Sequence, residues 1–230
     1  ITFRELLTHQ SGLPPFLPLQ QMAMKLGAFS VGCQLHETVS NTSSILPGEN
    51  SNNETQFEIS IGQCLEKRWS DSAWKWILAT QPSNDKSYVY SDLNMILLAK
   101  WIEQKNPKLW REMVNGDFYR SIGMTNTGFK PLEHGISPNR IAPTLIDSLW
   151  PRGEVRGIVH DPSAIMLGGI AGNAGLFSTA LDLAKLMYIL QNRGRSTKTG
   201  TFLLKPTTVD LFTKTQLGPT KKGYRGLGFD

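Results

Sequence analysis

The sequence predicts a helix-rich α+β fold, and three observations lead to it. Two cap signals, Thr2-x-x-Glu5 and Thr179-x-x-Asp182, each open a run with apolar residues at helical spacing. Residues 93–103, LeuAsnMetIleLeuLeuAlaLysTrpIleGlu, are apolar on nearly every side, the pattern of a helix that belongs in a core. Strand candidates are few and short: residues 56–61 alternate, and residues 155–159 and Gly226-Leu227-Gly228-Phe229 read as strand segments.

Thr2 caps the first helix, whose apolar face is Phe3, Leu6 and Leu7; His9 falls in its last turn, and Gly12 with Pro14-Pro15 stops it. Residues 20–28, rich in Met and Leu, predict a short helix. Residues 30–68 read as an irregular polar insertion around the alternating strand. Ser70 or Asp71 is placed to cap a helix through Ala73, Trp74, Trp76, Ile77 and Leu78. A loop at 82–87 leads to Tyr88-Val89-Tyr90-Ser91, and the apolar helix then runs from Asp92 to about residue 104. A further helix is expected near residues 109–119, and residues 121–160 show little regular pattern. The glycine-rich stretch from Gly168 to Gly175 enters the helix capped by Thr179. There Leu183, Leu186, Met187 and Leu190, at i, i+3, i+4 and i+7, predict a buried face, and Gly194 ends it. Pro206 starts a last short helix through Val209, Leu211 and Phe212. No internal repeat is present, and residues 1–230 read as a single domain.

Composition narrows the function. A chain of 230 residues with 40% hydrophobic and 19% charged residues has an ordinary globular balance and room for a sizeable core. No apolar run approaches the ~20 residues that a membrane helix needs. A first residue of Ile rather than Met gives the expectation of a processed chain, a trimmed one or a piece of a longer one. The net charge of +5 is scattered apart from Lys221-Lys222 and Arg225, with no Arg/Lys stripe interleaved with aromatics, so nucleic acid is not an expected partner.

Several chemistries fit poorly. His9, His36, His134 and His160 are far apart, with no His-x-x-x-His pair, so no metal centre is expected; His160-Asp161 reads as a hydrogen-bonded loop pair. A Gly-x-Ser-x-Gly elbow is absent, and so is a Walker phosphate loop. The glycines at 168–175 could line a pocket or hold an anion on their amides. They could equally permit close backbone packing, and a pocket-lining loop fits better than a nucleotide site. Cys33 and Cys64 lie 31 residues apart. A disulfide there would contribute roughly 3–4 kcal/mol if unstrained, and two free thiols are an equally open reading. The sequons Asn41-Thr42-Ser43 and Asn53-Glu54-Thr55 fit an extracytoplasmic, oxidising setting, periplasmic or secreted.

Four segments carry a resemblance. Ile1-Thr2-Phe3-Arg4-Glu5-Leu6-Leu7-Thr8-His9-Gln10-Ser11-Gly12-Leu13 resembles the stretch downstream of the nucleophile in class C β-lactamases, penicillin-binding proteins and related esterases. Tyr88-Val89-Tyr90-Ser91-Asp92-Leu93-Asn94 resembles that superfamily's Tyr-x-Asn motif. Ile122-Gly123-Met124-Thr125-Asn126-Thr127-Gly128-Phe129 resembles its Leu-Gly-Met-x-x-Thr-x-Phe segment, and residues 168–185 its Ala-Gly-Leu-x-Ser-Thr-x-x-Asp-Leu segment. The order is the family's. The chain is similar to β-lactamase-like domains fused behind glycosidase modules in some Bacteroidetes proteins, but incomplete at both ends.

The resemblance implies a helical lobe with little of the antiparallel sheet, the missing sheet being supplied by other residues or another chain. It implies a serine acyl-enzyme hydrolase with no cofactor, acting on a β-lactam, a D-Ala peptide or a small ester. In that mechanism a Ser-x-x-Lys serine attacks, and the lysine and a tyrosine share the proton work; Tyr90 matches the tyrosine. Asp92 stands where the motif often has Asn, and it is also well placed as a helix cap. Tyr88 reads as packing. Asp92 and Asn173, Ala174 and Gly175 are the expected substrate-binding residues. The nucleophile is expected outside this chain: Ser72-Ala73-Trp74-Lys75 and Ser83-Asn84-Asp85-Lys86 match the pattern but follow the first family segment. Lys198-Thr199-Gly200 has the letters of the family's third motif at the wrong place and reads as a surface turn. The competing reading is a non-catalytic fragment or pseudoenzyme that binds a cell-wall-like ligand or a partner chain.

Overall fold

A computed structural model describes residues 1–29, 31–33, 55–60, 62–147, 153–196, 200–220 and 223–229. Both sequon asparagines and the Lys198-Thr199 pair lie outside the described residues. The helices are α1 (Phe3–Leu7), α2 (Leu19–Lys25), α3 (Lys67–Ala79), α4 (Asp92–Lys105) and α5 (Pro107–Val114), then α6 (Asp117–Ser121), α7 (Pro162–Met166), α8 (Ala180–Gln191) and α9 (Pro206–Thr213). The strands are β1 (Val31–Gly32), β2 (Gln56–Ser60), β3 (Gln63–Glu66), β4 (Gly128–Phe129) and β5 (Leu145–Asp147), then β6 (Gly153–Val155), β7 (Leu176–Phe177), β8 (Leu217–Thr220) and β9 (Gly223–Arg225). The fold is α+β and helix-rich, with only small sheets. The chain divides into two compact units: residues 1–16, 81–128 and 178–230 form the first, and residues 17–80 and 129–177 the second.

In the first unit the α1 capping box forms in both directions. Thr2 Oγ1 accepts from the Glu5 amide at 3.2 Å, and the Thr2 amide donates to Glu5 Oε2 at 2.6 Å. The helix is shorter than its pattern suggests: it ends at Leu7, and His9 lies beyond the last turn with φ 56°. Helix α4 packs on α1, with Phe3 edge-on to Trp101 at 4.6 Å. It buries Leu93, Asn94, Ile96 and Ala99 but leaves Trp101 exposed, so it is a one-sided core helix rather than an all-round one. The helix expected near 109–119 is two, α5 and α6, broken at Asn115-Gly116.

Helix α8 turns an unexpected side inward. Thr179 Oγ1 caps it by accepting from the Asp182 amide at 3.3 Å, as the cap signal predicts. Yet Asp182 and Ile189 are its buried residues, and Leu183 and Met187 are exposed. The reason is polar. Asp182 Oδ2 accepts from the Asn126 amide at 2.8 Å and from Thr127 Oγ1 at 3.0 Å, and its Oδ1 takes Lys185 Nζ at 2.9 Å. These bonds fix the rotation of the helix, and Ile189, two turns on, shares the inward side. Burial disfavours the carboxylate charge, but the bonds from Lys185, Asn126 and Thr127 outweigh it and hold Asp182 below the ordinary carboxylate range. Strands β8 and β9 form an antiparallel hairpin. Residues 226–229 are a turn rather than a strand, closed by the Gly226 amide donating to Phe229 O at 2.8 Å.

In the second unit β3 pairs antiparallel with both β1 and β2, with Val31 opposite Cys64 and Phe57 opposite Leu65. That register brings Cys33 and Cys64 together, and they form a disulfide with Cα atoms 4.9 Å apart. Helix α3 follows β3 directly and so starts at Lys67, earlier than a Ser70 or Asp71 cap would allow; its Lys67 amide donates to Thr55 O at 2.8 Å instead of to a side-chain cap. Trp69, Ala73 and Ile77, spaced i, i+4 and i+8, are its buried face. Helix α7 packs against α2 and α3 and buries Ala164, Ile165 and Met166. Strands β5 and β6 pair from Leu145–Val155 to Asp147–Gly153, so the strand expected at 155–159 ends where that reading began.

Candidate active site

The candidate site in the first unit is built by two segments without regular structure, residues 9–15 and 83–91, the second running into Asp92 at the start of α4. Backbone bonds hold them together: Ser83 N to Gly12 O at 2.8 Å, Val89 N to His9 O at 2.9 Å and Asp92 N to Pro15 O at 2.8 Å. Side chains add Ser91 Oγ to Pro14 O at 2.6 Å and Lys86 Nζ to Ser11 O at 2.8 Å. Ser91 has extended dihedrals, so successive side chains point to opposite faces. Ser91 is fully buried, whereas Tyr90 is 44% exposed. The fold therefore anchors Ser91 and presents Tyr90.

A polar network lies beneath Tyr90. The Leu13 amide donates to Ser11 Oγ at 3.1 Å, and Ser11 Oγ donates to Asn94 Oδ1 at 2.6 Å. Asn94 Nδ2 lies 2.8 Å from His9 Nδ1, which also takes the Ser91 amide at 3.2 Å. His9, Ser11, Ser91 and Asn94 are all buried. The His9 ring lies against the Tyr90 ring at 4.4 Å between centroids, and edge-on to Tyr88 at 6.0 Å. The sequence places His9 at a helix end within the first family segment and Asn94 in an apolar run at the end of the second, and assigns neither a role of its own at the site. A lone Asn inside that run, three residues after a buried Ser, was the available signal: a buried amide needs partners.

Of the residues expected to carry function, Tyr90 and Asp92 lie in the first unit. Asp92 is the first residue of α4, with its carboxyl in the first turn, where the helix dipole favours negative charge. The cap position itself is Ser91, which makes no side-chain cap bond. Asn173, Ala174 and Gly175 lie in the second unit. Asn173 Nδ2 donates to Asp161 Oδ1 at 3.1 Å, and the same oxygen caps α7 by accepting from the Ala164 amide at 2.7 Å. Asn173 Oδ1 is buried without a hydrogen-bond partner among the described residues. Ala174 O accepts from the Ala171 amide at 3.3 Å. Gly175 has φ 113°, and a Cβ there would stand 2.5 Å from Gly169 O, so close packing alone already demands glycine.

Residues of the two Ser-x-x-Lys strings make hydrogen bonds within the chain. Ser72 Oγ donates to Arg68 O within α3 at 2.9 Å, Ser83 Oγ accepts from the Asp85 amide at 3.1 Å, and Lys86 is engaged by Ser11 O. Among the described residues no group of three or more His, Cys, Asp or Glu side chains is placed to hold a metal ion, and no helix is long and apolar enough to cross a membrane.

Comparison with known proteins agrees with this architecture. The family model described as Beta-lactamase matches residues 1–230. A protein of Escherichia coli strain K12, named as a D-alanyl-D-alanine carboxypeptidase, is 34% identical over 128 residues, covering 51% of this chain and 29% of that protein. A counterpart so named in Salmonella paratyphi B is 32% identical over the same length and shares. The octameric penicillin-binding protein homologue from Pyrococcus abyssi superposes with a TM-score of 0.54 at 18% identity, over 99% of this chain and 42% of its own. The chain thus spans 29% of the length of these curated relatives. It belongs to the β-lactamase family.

Proposed function

We propose that residues 1–230 are the tyrosine-bearing part of a serine hydrolase of the β-lactamase, D,D-peptidase or esterase type, within one β-lactamase-like domain. The observation that carries this reading is the presentation of Tyr90: exposed between anchored neighbours, in a chain that matches the family from end to end. The nucleophilic Ser-x-x-Lys lies outside these residues. Its serine oxygen forms a bond to the substrate carbonyl carbon, the amide or ester bond breaks, and the serine proton passes to the leaving group. Water then reverses the sequence and frees the acid. A serine hydroxyl needs a base for this step. Tyr90, together with the lysine, moves that proton; a phenol with an ordinary pKa of about 10 can do so only beside a cation that favours its phenolate.

In the first unit Asp92 serves as a hydrogen-bond acceptor for a substrate amide or hydroxyl group; for Asn173, Ala174 and Gly175, in the second unit, a substrate-binding role rests on the family resemblance alone. The substrate is a β-lactam, a D-Ala peptide or a small ester, in the periplasm or outside the cell. The reaction needs no cofactor. The test is turnover of nitrocefin and a nitrophenyl ester by the full-length protein and its Tyr90→Phe variant. Loss of a proton-transfer group predicts a drop of about 10²–10⁴-fold in kcat. Turnover unchanged by the substitution would contradict the role of Tyr90.

A further inference from the structure

Resting on the reading of Tyr90 as the proton-transfer residue, we propose that His9 is a positioning residue: a neutral imidazole whose Nδ1 accepts hydrogen bonds and whose ring face sets the Tyr90 ring. The protonation state follows from an inventory of donors. The Ser91 backbone amide can only donate, and it points at His9 Nδ1 from 3.2 Å. The Leu13 amide can also only donate, and it occupies Ser11 Oγ at 3.1 Å. With Nδ1 accepting from Ser91, Asn94 must turn its donor Nδ2 toward His9 Nδ1 at 2.8 Å, which leaves Asn94 Oδ1 to accept the Ser11 hydroxyl proton at 2.6 Å. Two N–H groups converge on Nδ1, and a backbone donor stands at each end of the network. Because the Ser91 amide can only donate, Nδ1 carries the lone pair, and in the neutral ring Nε2 carries the proton.

The same residue grips three consecutive positions. Its carbonyl accepts from Val89, its ring lies 4.4 Å from the ring of Tyr90, tilted by 38°, and its Nδ1 holds Ser91. This reach uses a left-handed backbone, φ 56°, at a site only 1% exposed. Asn, Asp and His are the non-glycine residues that adopt that conformation most often. A proton on Nδ1 would set N–H against the Ser91 N–H and push the Tyr90 segment away. His9 thus acts on the reaction through Tyr90, without touching substrate.

The test compares His9→Phe, His9→Asn and Tyr90→Phe in the full-length protein. Phe keeps a ring against Tyr90 but offers no acceptor. Asn supplies Oδ1 near the place of Nδ1 and tolerates the backbone. The expected result is a loss in kcat of about tenfold to a hundredfold for His9→Phe, with KM little changed, and recovery of most of it in His9→Asn. Wild-type kcat in His9→Phe would overturn the proposal, and so would equal losses in both His9 variants. If Tyr90→Phe is itself fully active, the reading of Tyr90 fails, whereas an impaired Tyr90→Phe beside an active His9→Phe sinks only the role of His9. Imidazole ¹⁵N NMR of the unsubstituted protein, with His9 assigned through its contacts to Tyr90, provides a reading even if a variant does not fold. An unprotonated Nδ1 at neutral pH is expected; a protonated one overturns the proposal.

Discussion

Removing the Asp182 carboxylate should destabilise the first unit more than any exposed ion pair would. The group is 1% exposed and accepts from Asn126 N, Thr127 Oγ1 and Lys185 Nζ at 2.8, 3.0 and 2.9 Å. Breaking a buried charged network from one side costs about 3–5 kcal/mol. The Lys185 ammonium is partly exposed and keeps Gly123 O as an acceptor, so Asp182→Ala belongs near the lower end, at about 3 kcal/mol. Lys185→Met leaves the carboxylate its two remaining donors and should cost about 1.5–3 kcal/mol. The double variant should then cost less than the two together, with a coupling of at least about 1 kcal/mol.

The pH sign follows from the direction of the shift. Asp182 is more acidic when folded, so its contribution is fully present above the unfolded carboxylate value of about 3.9 and fades as pH falls through the lower folded value. The stability gap between wild type and Asp182→Asn should be constant from neutral pH to about 5 and should close in more acidic solution. Urea unfolding of the full-length protein at a series of pH values measures both quantities. Additive costs within about 0.5 kcal/mol, or a gap that persists in acid, would refute the network account.

Gly12→Ala should disturb stability and activity together. Its Cβ would stand 2.2 Å from Ser83 O at φ +78°, displacing the loop that leads to Tyr90. The left-handed residue alone costs about 1–2 kcal/mol, and the clash adds to it; a variant with wild-type melting and turnover would contradict this. The Cys33–Cys64 bond predicts no titratable thiol in denatured, unreduced protein and a loss of roughly 3–4 kcal/mol in the Cys33→Ser, Cys64→Ser variant, measured by denaturant unfolding. Two reactive thiols before reduction would contradict it.

What could be read from the residues was mostly local. The Thr2 and Thr179 caps formed because each satisfies amides within a few residues of itself. Strand β2 was legible through its alternation. The failures are tertiary. Leu183 and Met187 have ideal spacing for a core face, but Asp182's bonds to residues 126 and 127 decide how α8 is rotated. Single-residue reading leaves the cysteine question open, whereas the antiparallel pairing of β1 and β3 answers it. The network of His9, Ser11, Ser91 and Asn94 joins residues separated by 82 to 85 positions, beyond any local pattern.

The most direct test of the account is the rate of acyl-enzyme formation, followed by intact-protein and peptide mass spectrometry on the full-length protein and its Tyr90→Phe variant. The account predicts one acyl group per wild-type molecule, on a serine outside residues 1–230, forming about 10²–10⁴-fold more slowly when the phenol is lost. An adduct on a serine within these residues, or equal rates in the two proteins, would contradict it.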